Sequence, residues 1–276
     1  MPISTRDSEK PPPDLQSIES DLRLEIGLHP ESAPILYKLA LVLRQENKPK
    51  ESLETYTQAA HLEKPNAEQL RSVALDYVLL EDYKDAIHWL QIAESFDPDN
   101  ADVLYSLGRC FYSQSRYPEA EKMFLRVLDI KPEHLKAEEN LGLVYDFVNQ
   151  PEKAEAALRK AATLARDEST DEWPFLDLGA FLLDHDRAAE AAPFLRRASA
   201  IATKCTACHE KLGRALVATG DVIGGVKELE TAVLLDPKNP KMHFQLGLAY
   251  RAAGNLEKSR AEFALSQSLY GEHSQD

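Results

Sequence analysis

No stretch of this chain alternates apolar and polar residues for long enough to make a strand, and only 11 of its 276 residues are glycine. The expected fold class is therefore all-α. No apolar run approaches the ~18 residues of a membrane-spanning helix. The opening thirteen residues, MPISTRDSEKPPP, hold no apolar core of a signal peptide. Basic residues are scarce: 32 Lys and Arg stand against 46 Asp and Glu, for a formal net charge of −14, and no window clusters five of them. That balance argues against nucleic acid, whose affinity comes largely from Lys and Arg neutralising phosphates. No N-x-[S/T] sequon occurs, and the expected compartment is the cytoplasm, a secreted or periplasmic origin with the leader removed being the alternative. G-x-G-x-x-G, the phosphate-loop motif, H-E-x-x-H and G-x-S-x-G are all missing. The segment Gly220–Gly225 (GDVIGG) lacks the Lys and the preceding strand that phosphate binding needs. No catalytic residue, cofactor or metal is expected.

A register of 34 residues is present instead. Leu or Val followed by Ala or Gly recurs seven times, at Leu39-Ala40, Val73-Ala74, Leu107-Gly108, Leu141-Gly142, Leu178-Gly179, Leu212-Gly213 and Leu246-Gly247. The step is 34 everywhere except 37 between Leu141 and Leu178, which places a three-residue insertion near Arg166–Asp171. Four residues after each Leu or Val stands a large residue, such as Leu43, Tyr77 or Phe111. Nine further on comes a small one (Ser52, Ala86, Ala120), then a bulky one (Tyr56, Leu90, Phe124), then a small one again (Ala59, Ala93, Val127). A fixed period of this length marks a stacked repeat array. Each unit reads as two amphipathic helices. One helix pair cannot bury its apolar face, whereas stacked neighbours can. Gly220 and Gly254 fall in the turn between the two helices of the last two units, where a left-handed cap is expected.

These columns resemble the tetratricopeptide repeat (TPR) family, with its pattern W-x2-L-G-x2-Y…A-x3-F…P. The resemblance runs from Ala33 to about Glu272. It implies a right-handed superhelical solenoid of helix-turn-helix repeats. The domain reading is a disordered tail over 1–13, a capping half-repeat helix over 14–30, a seven-repeat solenoid over 31–272 and a short tail over 273–276. In the half-repeat, Leu15, Ile18, Leu22 and Ile26 would cover the first repeat. At the other end Leu265, Leu269 and Tyr270 lie on an open helix face, which offers weak self-association.

The segment Cys205-Thr206-Ala207-Cys208-His209 matches C-x-x-C-H, the pattern of c-type haem attachment. The 34-residue phase puts His209 in a packing column with Leu36, Leu104, Phe175 and His243. Plain packing is the expectation. A thiol, disulfide or zinc role is weighed beside it, and a haem- or metal-carrying electron-transfer module on Cys205, Cys208 and His209 is the alternative function. Cys110, beside Phe111 on a helix, reads as a buried small apolar residue.

The resemblance implies that the first helices of successive units line a concave groove, with the second, fifth, ninth, twelfth and thirteenth residues of each unit facing it. The candidate peptide-binding residues so placed are Tyr37, Arg44 and Arg71, then Tyr105, Arg109, Tyr112 and Phe147, then Trp173, Phe244 and Arg251. Aromatics beside Arg are the composition of binding hot spots, and guanidinium groups suit carboxylates. The chaperone-clamping branch of the family uses Lys and Asn at the fifth and ninth places; here those are Tyr37 and Leu41, then Arg71 and Leu75, so that clamp is not implied. The expected function is a non-enzymatic protein–protein interaction scaffold. Its partner would be a protein or a peptide segment, acidic or apolar, with neither nucleic acid nor membrane involved.

Overall fold

The computed structural model describes residues 14–165 and 170–273. The expected disordered tail over 1–13 and most of the three-residue insertion lie outside them. Among the described residues every regular element is a helix. The chain divides into two compact units, residues 1–144 and 145–276.

The first unit opens with α1 (Leu15–Leu28) and continues with three helix pairs. These are α2 (Ala33–Gln45) with α3 (Pro49–Leu62), α4 (Ala67–Leu79) with α5 (Tyr83–Phe96), and α6 (Ala101–Ser113) with α7 (Tyr117–Ile130). Helix α8 (Leu135–Phe147) contains the division between the units. The second unit continues with α9 (Pro151–Leu164) and with the pairs α10 (Trp173–Asp184) and α11 (Ala188–Ile201), α12 (Thr206–Ala218) and α13 (Val222–Leu235), and α14 (Pro240–Ala252) and α15 (Leu256–His273).

Many of the helices start at a side-chain cap or a first-turn proline. Asn66 and Gln69 form a reciprocal capping box at α4, with the Asn66 side chain accepting from the Gln69 N–H at 2.9 Å and Gln69 accepting from the Asn66 N–H at 2.8 Å. Asn100 accepts from the N–H groups of Asp102 and Val103, and Asn239 from Lys241. Pro49, Pro118, Pro151 and Pro240 stand in first turns, where the missing N–H removes no helical bond. The turn inside each pair holds one residue at positive φ: Asn47, Glu81, Ser115, Asn149, Asp186, Gly220 and Gly254. The sequence shows this column only at its two glycines. The five others adopt the same left-handed conformation with a side chain attached.

The small and bulky columns meet as their register requires. Phe124, Leu90 and Leu195 are fully buried, as are Ala59, Ala93, Ala161 and Ala198. A Cβ at Gly108 would come within 2.6 Å of the Phe124 ring, and one at Gly179 within 2.6 Å of Leu195. The tightest approach to backbone is in the sixth repeat, where a Cβ on Gly225 would lie 2.8 Å from the Gly213 carbonyl oxygen. Where serine replaces the small residue, its hydroxyl finds the partner backbone: Ser52 Oγ donates to Ala40 O and Ser259 Oγ to Gly247 O, both at 2.8 Å. At the N-terminal end, Leu15 and Leu22 of α1 are buried against Ile35, Leu39, Val42 and Leu43, with Ile26 packed alongside. Ile18, expected in that layer, is 42% exposed and lies outside this cluster.

Candidate functional site

In the first unit α2, α4 and α6 lie side by side. These three helices carry six of the ten sequence-derived candidates. Tyr37 is buried: its hydroxyl donates to Glu63 O at 2.7 Å and its ring lies 5.9 Å from Tyr56. Arg44 is half-buried, with Nη1 donating to Ser72 O at 3.4 Å. Arg71 holds Glu68 through two bonds, Nε–Oε2 at 3.0 Å and Nη2–Oε1 at 2.5 Å. Burial opposes its charge, yet the Glu68 carboxylate leaves its pKa raised. On α6 the spacing i, i+4, i+7 sets Tyr105, Arg109 and Tyr112 on one helix face, each half-buried. The Arg109 guanidinium lies 5.9 Å from the Tyr105 ring centre. The Tyr105 hydroxyl accepts from Asn140 Nδ2 at 3.3 Å, and its ring lies 5.2 Å from His134. Tyr112 meets Tyr117 edge-on at 5.7 Å. Leu41 and Leu79 are each 37% exposed and add apolar surface.

The other four candidates belong to the second unit. Phe147 is 61% exposed. Trp173 is half-buried, its backbone N–H donating to Asp171 Oδ1 at 3.2 Å. Phe244 is 45% exposed, with its ring 5.5 Å from Phe263, and the Arg251 guanidinium lies 6.0 Å from that same ring. Between Trp173 and Phe244 in sequence runs a charged chain. Glu210, almost fully buried, faces Arg214 Nη1 at 3.3 Å and Lys241 Nζ at 3.6 Å. Asp184 faces Lys211 and Arg214, both at 3.8 Å. Most of the charge in this chain of side chains is paired internally. The α6 face of the first unit joins aromatic rings to a guanidinium.

Three features depart from what the repeat columns predict. Asp76 of α4 is fully buried; Ser52 Oγ lies 2.6 Å from its Oδ2, and Oδ1 has no hydrogen-bond partner. Burial pushes its carboxyl up from 3.8 to about 7, against the opposing influence of Ser52 and Arg44. The signal was available, since the same column is apolar in the other repeats: Val42, Cys110, Val144, Phe181, Ala215 and Ala249 are all buried. Second, His209 and His243 do more than pack. Each places Nδ1 2.7 Å from a glutamate on the following helix, Glu228 and Glu262, and Nε2 near a backbone carbonyl, Thr203 O at 3.2 Å and Pro237 O at 2.9 Å. Third, Cys205 and Cys208, expected as packing residues, form a disulfide with a Cα–Cα distance of 5.3 Å. That bond engages both sulfurs that haem attachment or zinc would require. Among the described residues no group of three His, Cys, Asp or Glu is placed to hold a metal, and no helix is long and apolar enough to cross a membrane.

Family models for the tetratricopeptide repeat match residues 73–134, 139–168 and 210–272, together more than half of the chain. Tetratricopeptide repeat protein 8 of Caenorhabditis elegans is 24% identical over 169 residues, 60% of this chain and 33% of that protein. The chain thus spans about a third of that relative's length. Among solved structures, PilW, a widely conserved type IV pilus biogenesis factor, aligns with a TM-score of 0.66 at 18% identity, over 74% of this chain and 94% of its own. PilF of Pseudomonas aeruginosa aligns with a TM-score of 0.66 at 20% identity, over 74% and 92%. YrrB, a TPR protein with an unusual peptide-binding site, aligns with a TM-score of 0.57 at 18% identity, over 67% and 94%. At these identities the likeness is one of fold. Seven copies of one helix-turn-helix register, small residues seated under bulky ones, and family matches over most of that register lead to one conclusion: this chain belongs to the tetratricopeptide repeat family.

Proposed function

We propose that this TPR chain is a non-enzymatic scaffold that holds a peptide segment of a partner protein against the first-helix face of its first unit. Proteins of this family generally serve protein interaction; the finer assignment rests on one observation. Tyr105, Arg109 and Tyr112 share one face of α6, half-buried, beside α4 and its Arg71. Rigid aromatic rings offer contact area at low conformational cost, and guanidinium groups among them bring positive charge to the face. The segment such a face fits carries acidic and apolar residues. YrrB, whose described peptide-binding site sits on the same fold, supports peptide docking as a use of this architecture.

The test is affinity capture from the native lysate, with Arg71→Ala/Arg109→Ala/Tyr112→Ala as control. Proteins retained by the wild type and lost by the folded variant would support the reading. Undiminished retention by the variant would contradict it. Loss on altering Leu269 and Tyr270 instead would move the interface to α15.

A further inference from the structure

We propose that Cys205–Cys208 is a reversible thiol–disulfide site that exchanges with a protein dithiol, with Cys205 as the sulfur attacked. The repeat supplies the comparison. Cys205 caps α12: its Sγ accepts from the Cys208 N–H at 3.1 Å. At the same place Asn66, Asn100, His134 and Asn239 cap their helices through oxygen or nitrogen. Cys208 is fully buried, in a column that elsewhere holds Val103, Ala137 and Met242. Most repeats thus hold an acceptor at the first place and an apolar group at the second, with Gln69 filling the second place in the α4 capping box. Neither place calls for sulfur, and the property these two residues add together is the bond between them.

That bond is poorly placed to be a staple. It encloses two residues within a helical turn already closed by the His209 N–H donating to Cys205 O at 3.2 Å. Short loops restrict the unfolded chain least. Breaking the bond also leaves the cap in place, because a Cys205 thiolate accepts the same N–H, and the helix N-terminus favours its negative charge. Both redox forms are thus compatible with one backbone.

The two sulfurs differ in access. Cys205 is half-buried, while Cys208 has no exposed surface. A thiolate of the incoming dithiol attacks Cys205 Sγ, the Cys205–Cys208 bond breaks, and its electron pair leaves on Cys208 Sγ, which takes up the proton the attacking thiol gave to solvent. The second thiol of the partner, as thiolate, then attacks its own sulfur in the mixed disulfide, and Cys205 leaves as the capped thiolate. In sum the pair gains two electrons and one proton, the proton of the partner's second thiol passes to solvent, and the partner dithiol becomes a disulfide. Cys110 takes no part: it is buried in α6, and burial pushes its thiol up to about 12.

The experiment uses the full chain. Oxidised protein is equilibrated in mixtures of reduced and oxidised dithiothreitol without denaturant, quenched in acid, then alkylated with a maleimide in denaturant and weighed. With three cysteines in all, the oxidised chain carries one label, on Cys110, and the reduced chain three. The expected result is a smooth passage from one label to three with an unchanged helical circular dichroism spectrum. Cys208→Ala, which installs the residue of the fourth repeat at this place, should capture oxidised glutathione on Cys205 at least about tenfold faster than Cys205→Ala captures it on Cys208. Reduction only after unfolding would overturn the proposal, as would equal or reversed capture rates. If Cys208→Ala loses its helical signal, the wild-type titration alone decides.

Discussion

Asp76 offers the sharpest test of how the first unit is held together. Its carboxyl is fully buried, one oxygen has no hydrogen-bond partner, and the other lies 2.6 Å from Ser52 Oγ. Ser52 has a single hydroxyl proton and also faces Ala40 O at 2.8 Å. Both contacts are hydrogen bonds only if Asp76 is protonated and donates to Ser52 Oγ, leaving the Ser52 proton for Ala40. This agrees with burial raising the carboxyl from 3.8 to about 7. A raised folded-state pKa binds more protons in the native state, so its stabilising contribution is complete below about pH 4 and is lost as pH rises through about 7. A difference of roughly three pH units, at about 1.4 kcal/mol each, gives about 4 kcal/mol between those limits. Asp76→Asn keeps the shape and removes the charge. It should stabilise the chain by about 2–3 kcal/mol more at pH 8 than at pH 5, the part of the loss that falls between those two pH values. Urea melts followed by circular dichroism at pH 5, 6, 7 and 8, with amide exchange in α3 and α4 as the local readout, measure this. Other titrations cancel in the difference between the two proteins. Glu19 and Glu155, held down to about 2 by Lys48 and Arg187, lose their contribution only below the ordinary glutamate range. If Asp76→Asn were as pH-sensitive as the wild type, or less stable than it at pH 8, the buried carboxylate would be ionised in place and the reasoning would fail.

Gly225→Leu should destabilise by about 3 kcal/mol or more, because its Cβ meets the Gly213 carbonyl, which cannot rotate away, while Lys122→Ala on an exposed face stays within about 0.5 kcal/mol; equal shifts in denaturant midpoint would refute the column assignment. Glu81→Gly should stabilise by about 1 kcal/mol, since Glu81 is exposed and sits at φ 60°; a lower Tm would show that the turn depends on its side chain. Asn100→Ala removes the acceptor of two N–H groups at α6 and should cost about 1 kcal/mol with faster exchange of the Asp102 and Val103 amides, an effect absent if water replaces the cap fully.

The fold was readable because its information is periodic. Ala59, Ala93, Ala161 and Ala198 are small for one shared reason, the close approach of a neighbouring helix, and a column of such residues outweighs any single irregularity. The left-handed turn residues were harder to see. Asn47, Glu81, Ser115, Asn149 and Asp186 share a backbone angle but no side-chain chemistry, and only the two glycines announce the conformation. Asp76 and the Cys205–Cys208 bond are departures from a column, and periodicity predicts what a column shares rather than its exceptions. For the candidate site, spacing correctly groups Tyr105, Arg109 and Tyr112 on one face of α6. It could not foresee that Tyr37 turns inward to Glu63 or that Arg71 is held by Glu68, because those outcomes depend on local side-chain partners.

The central claim is that the first-helix face of the first unit receives a peptide. Its most direct test is to select binders to the full chain from a random peptide library and to map the tightest one by hydrogen exchange on the wild type and on Arg109→Ala/Tyr112→Ala. The account predicts protection on α4 and α6, and a loss of about 2 kcal/mol of binding in the variant with its Tm unchanged. Protection confined to α13 or α15, with the variant binding as tightly as the wild type, would contradict it.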